Sequence, residues 1–140
     1  MEQLLEFAGN HPLLIGAFVV VSSALVWNFI SEPGGKYAVD PLGATSLINH
    51  EDAVVLDVRS MAEFKDGHIL NAINLPLNSL SNNLKQLEKH RDRPIVAVCR
   101  SGSRSGSACR LLRKHGFEKA KNLRGGMMAW ESASLPVKRK

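Results

Sequence analysis

The 140 residues are 44% hydrophobic and only 6% aromatic, which suits one small domain with an aliphatic core and excludes a disordered chain. The formal net charge of +5 is unevenly placed: residues 1–35 carry no Lys or Arg, so all 18 basic residues lie in Lys36–Lys140. Such a body could meet nucleic acid, an anionic leaflet or anionic substrates, but no basic stretch is interleaved with aromatics and no zinc-finger spacing occurs, so no nucleic-acid partner is expected.

After a short N-terminal extension, residues 1–12, the run Leu13–Ile30 reads LLIGAFVVVSSALVWNFI, eighteen residues without a charge. At about 1.5 Å per residue it reaches ~27 Å, near the ~30 Å of a hydrocarbon core. A cleaved signal peptide would want a basic start, and here Glu2 and Glu6 stand instead; a buried core helix would show a polar face. A single transmembrane helix over residues 13–30 is therefore expected, with Ser31–Gly35 as a hinge within a linker, residues 31–36. Lys36 and the basic body behind it place that body on the cytoplasmic side of the inner membrane. Cys99 and Cys109 are the only cysteines, too few for a disulfide scaffold, and read as reduced thiols.

The body alternates strand and helix. Strands are expected at Ala53–Asp57, Ala72–Leu75, Ile95–Cys99 and Ala120–Leu123, with a weaker one at Tyr37–Val39. The two strongest, AVVLD and IVAVC, are unbroken apolar runs, as befits strands buried on both faces of a parallel sheet. Asp40-Pro41 caps and opens a helix to about Asn49. Ser60-Met-Ala-Glu63 is a capping box, and Gly67 closes its helix. Helices are further expected at Ser81–His90, Ser103–His115 (with Gly116 as its stop) and Met127–Ala133. The fold class is α/β, a five-stranded parallel sheet flanked by helices on both faces.

Ligands of such sheets bind at the carboxyl ends of strands, where a loop enters a helix. Cys99 ends the IVAVC run and is followed by Arg100, Ser101, Gly102, Ser103, Arg104 and Ser105. Inward-facing N–H groups, a helix N-terminus, three serine hydroxyls and two guanidiniums would each favour thiolate, the reactive form, and would also hold a further anionic sulfur. Cys109 lies on the following helix beside Ala108 and Leu112, and reads as a packing thiol. The five histidines are scattered without ligand spacing, so neither a metal nor another cofactor is expected.

Three separated stretches carry a resemblance. Cys99–Arg104 resembles the active-site loop of the rhodanese family. Leu56-Asp-Val-Arg-Ser-Met-Ala-Glu-Phe64, Gly67-His-Ile69 and Ala72-Ile-Asn-Leu-Pro76 are similar to its upstream signature, and Asn122-Leu-Arg-Gly-Gly126 with Ala129-Trp130 to its downstream one. The match spans residues 37–137, leaving a basic tail, 138–140. It implies a sulfurtransferase: Cys99 takes sulfur from thiosulfate or a similar small donor as a persulfide and yields it to a thiol or dithiol-protein acceptor. It also implies that Asp57 and Arg59 form an ion pair under the loop, that Arg100 and Arg104 offset donor charge, and that His68 braces a turn. Tyrosine-phosphatase-like and arsenate-reducing relatives of this fold need a loop one residue longer than the four residues between Cys99 and Arg104. A membrane-tethered persulfide carrier acting on one protein partner, without free turnover, is the alternative function.

Overall fold

A computed structural model describes residues 1–30 and 35–140, with their side chains except at 4, 5 and 28–30. The chain forms two units, Met1–Gly35 and Lys36–Lys140. The first holds α1 (Glu2–Asn10) and α2 (Pro12–Ile30). The described side chains of α2 are mostly apolar and exposed, Leu13, Phe18, Val20, Leu25 and Trp27 among them, with Ser22 and Ser23 as polar members. Among the described residues, however, no helix is long and apolar enough to cross a membrane. The transmembrane helix expected over residues 13–30 is thus not supported. The hinge expected at Ser31–Gly35 lies, but for Gly35, outside the described residues.

The second unit is a five-stranded parallel sheet in the order β1 (Ala38–Val39), β5 (Ala120–Leu123), β4 (Ile95–Val98), β2 (Val54–Asp57), β3 (Ile73–Asn74). β2 and β4 pair in register, Val54 with Ile95 through Asp57 with Val98. Alternate residues of these strands serve opposite faces. Leu56, Ile95 and Ala97 join a core with Leu80, Leu87, Ala108 and Leu112, whereas Val55, Val96 and Val98 pack with Ala44, Met127 and Trp130. Helices therefore cover both faces. One core takes α5 (Leu77–Leu80) and α6 (Ser103–Lys114), and the other takes α3 (Pro41–His50) and α7 (Gly126–Ser132).

The caps form as their residue types require. Asp40 accepts from the Gly43 N–H at 2.9 Å, and in α4 (Met61–Asp66) Ser60 and Glu63 complete the reciprocal capping box. The helix expected over Ser81–His90 differs: α5 ends at Leu80, and Leu84–His90 is a 3₁₀ helix. Asn83 is the cause. Its side-chain amide takes the Ser79 carbonyl at 2.8 Å, and its own carbonyl accepts from Gln86, a tighter i to i+3 bond. The basic tail is not wholly solvated, since Lys138 exchanges two backbone hydrogen bonds with His68. His68 also stacks on Phe64, ring centroids 3.7 Å apart, with Nδ1 at 2.7 Å from the Phe64 carbonyl, so it braces the end of α4.

Candidate functional site

Cys99 follows the last residue of β4 directly, in the centre of the sheet, and the chain turns through Gly102 into α6. The residue is only 1% exposed, yet its sulfur is not left to hydrocarbon. Sγ accepts the Gly102 N–H at 3.1 Å and lies 3.3 Å from Ser105 Oγ. Burial pushes the thiol up, but the Ser105 hydroxyl and the N–H groups of Ser105, Gly102 and Ser101 outweigh it, so its pKa falls below the ordinary thiol value. Cys109 shows the opposite balance: burial pushes it up to about 11, as a packing thiol requires.

The loop owes its shape to α7. The carbonyls of Cys99 and Arg100 accept from Met127 N at 2.8 Å and Met128 N at 3.1 Å. In a trans peptide the N–H points opposite the C=O, so turning these two carbonyls toward α7 turns the N–H groups of Arg100 and Ser101 away from it. Such close approach needs Gly126: at φ 56°, a Cβ there would lie 2.3 Å from the Cys99 carbonyl oxygen. Gly102, at φ 101°, closes the turn, and its carbonyl accepts from Asn122 Nδ2 at 3.0 Å. The same amide's Oδ1 sits 2.6 Å from Ser105 Oγ. Ser105 has one proton and two acceptors, so Asn122 competes with the sulfur for it.

The sequence-predicted residues are only partly brought to the sulfur. Among the described residues, the Ser105 hydroxyl reaches it; those of Ser101 and Ser103, expected as donors, make no bond to it. Arg104, expected to offset donor charge, bonds Glu63 through two contacts of 2.9 Å while its guanidinium also feels the Cys99 sulfur electrostatically. That contact leads in holding the Glu63 carboxyl down to about 2, against the effect of burial and with help from Ser60. Arg100 is exposed. Asp57 and Arg59 form the expected buried pair: Arg59 Nη2 lies 2.7 Å from Asp57 Oδ2 and also donates to the Gly67 carbonyl at 2.7 Å, tying β2 to the end of α4. Glu63 and Asn122 are the members that sequence reasoning missed, the first read only as a capping residue and the second only as part of a motif. A strand-end position beside β4 is the signal that could have found Asn122, since Ala97 pairs with it.

Beside the loop a cleft of about 350 Å³ opens between Val58, Ser60, Pro76, Leu77, Asn78 and Arg104. It abuts the carboxyl end of β2 and the first turn of α6, where this architecture receives ligands. A nucleophilic thiol at the base of an N–H-lined loop, with such a cleft beside it, can take up and release one atom or small group by displacement.

Comparison with known proteins agrees with this geometry. The model of the rhodanese-like domain matches residues 42–133. YibN of Escherichia coli (strain K12), an uncharacterized protein, is 37% identical over 141 residues, covering 99% of each chain and so including the N-terminal segment. A sulfurtransferase of Allochromatium vinosum is 38% identical over 91 residues, 65% of this chain and 83% of its own. Among solved structures, a rhodanese-related protein from Thermoplasma volcanium is similar with a TM-score of 0.67 at 30% identity, over 74% of this chain and 98% of that one. With the fold, the loop and the relatives in agreement, this chain belongs to the rhodanese-like domain family.

Proposed function

We propose that Cys99 carries sulfane sulfur as a persulfide, taken from thiosulfate or a similar small donor and passed to a thiol or dithiol-protein acceptor. The observation that carries this reading is the sulfur itself, covered by the fold yet held by the Gly102 N–H and beside the Ser105 hydroxyl. The thiolate attacks the donor's outer sulfur; a Cys–S–S bond forms as the donor's S–S bond breaks, and sulfite leaves with the electron pair. The acceptor thiolate then attacks the outer sulfur, and Cys99 departs as thiolate. Both departures and the persulfide between them are anionic, so the N–H groups of the loop serve every stage. Asp57 and Arg59 act as supports, holding the carboxyl end of β2 against α4.

Cys99→Ser is expected to abolish sulfur transfer while leaving the far-ultraviolet circular dichroism unchanged. Wild-type protein incubated with thiosulfate should gain about 32 Da, one sulfur, on the peptide that contains Cys99. Transfer retained by Cys99→Ser would refute the proposal.

We further propose that the N-terminal unit attaches the domain to the cytoplasmic face of the inner membrane. The support is the eighteen-residue uncharged run in the sequence and the outward-facing apolar side chains of α2. Full-length protein should stay with the membrane fraction in alkaline carbonate; release by carbonate would end this reading.

A further inference from the structure

The cleft beside the loop is lined by one charged side chain, Arg104, and that charge is already matched by Glu63. Its other walls are Val58, Pro76 and Leu77, with Ser60 and Asn78 as uncharged polar groups. Thiosulfate is a dianion, and sulfite, its leaving group, is also strongly charged. A guanidinium gripped by two carboxylate bonds has little attraction left for a second charge on a donor, because the field of the pair falls off as a dipole rather than as a point charge. Apolar walls give nothing to an added oxyanion but do favour a carbon stem.

Resting on the sulfur-transfer reading above, we propose that Glu63 is a positioning residue that sets donor specificity: by holding Arg104 it makes this cleft take monoanionic sulfane donors with an apolar stem in preference to dianionic thiosulfate. The chemical class is an organic persulfide or thiosulfonate. The step is the same for both classes: Cys99 thiolate bonds to the outer sulfur, the donor S–S bond breaks, and the thiolate or sulfinate leaves with the electron pair.

Methanethiosulfonate is the probe, since a methyl group replaces one charged oxygen of thiosulfate and the transferred sulfur is unchanged. The full-length wild-type protein should turn over methanethiosulfonate with a higher kcat/KM than thiosulfate, the difference residing in KM. Glu63→Gln keeps an acceptor for the Ser60 N–H, so the capping box survives while Arg104 loses the carboxylate charge that neutralises it. In that variant kcat/KM for thiosulfate should rise about 5–10-fold through KM, with methanethiosulfonate changed less than about twofold. A wild-type preference for thiosulfate, or a donor ratio that does not move in Glu63→Gln, would overturn the proposal. The wild-type comparison decides alone should the variant fail to fold. Absence of persulfide on Cys99 with either donor would instead overturn the sulfur-transfer reading, and mass spectrometry tells the two failures apart.

Discussion

At the scale of single residues, the site depends on hydrogen-bond donors more than on fixed charge. Sequence reasoning credited main-chain N–H groups, a helix N-terminus, three serine hydroxyls and two arginines with favouring the Cys99 thiolate; of these the Ser105 hydroxyl leads, while Arg104 also bonds Glu63. Ser105→Ala should therefore raise the Cys99 pKa and slow iodoacetamide alkylation at pH 7 by roughly 3–10-fold, as loss of one bond to a charged group requires. Arg104→Ala should move the pH profile less than Ser105→Ala does. The reading is clean because Cys109, pushed up to about 11, stays protonated at neutral pH. A profile unmoved by Ser105→Ala would remove that hydroxyl from the mechanism. Cys99 and its loop were legible because a strand end, a glycine turn and a helix start are all local features. Glu63 and Asn122 were not, because their contacts join positions 41 and 17 residues apart.

Among the elements, the strands were legible from composition, since the middle of a doubly covered parallel sheet demands unbroken apolar runs. Helix starts were legible from Asp40 and Ser60, whose caps are decided within four residues. The 3₁₀ helix was not, because an asparagine side chain displaced the expected backbone bonding there. Nor was the pairing of Lys138 with His68, a contact that local pattern does not encode. What joins β2 to α4 is the buried Asp57–Arg59 pair, with Asp57 fully covered. Arg59→Leu should cost about 3–5 kcal/mol in urea unfolding, because it strands a carboxylate in the core and also removes the donor to the Gly67 carbonyl. Replacing both partners by apolar residues should recover part of that loss. If the double variant unfolds as easily as Arg59→Leu, the orphaned carboxylate is not the source of the cost.

On the scale of the whole molecule, the division of labour follows from where the cores lie. Every buried member of both cores falls between Ala44 and Trp130, inside the unit Lys36–Lys140. Cys99, its loop, Glu63, Asn122 and the Asp57–Arg59 pair lie there too. The described core residues and the groups around the sulfur are thus supplied by residues 36–140. A chain of residues 36–140 should unfold at the same temperature as the full protein, within about 2 °C, and its Cys99 should be alkylated at the same rate. It should differ in its attachment, losing the apolar surface of α2 and with it recovery in the membrane fraction. A truncated chain that unfolds early or loses its reactive thiol would mean that the N-terminal unit supports the fold. Unchanged recovery with membranes would move the attachment onto the basic body instead, whose 18 Lys and Arg could hold an anionic leaflet and would release it at high salt.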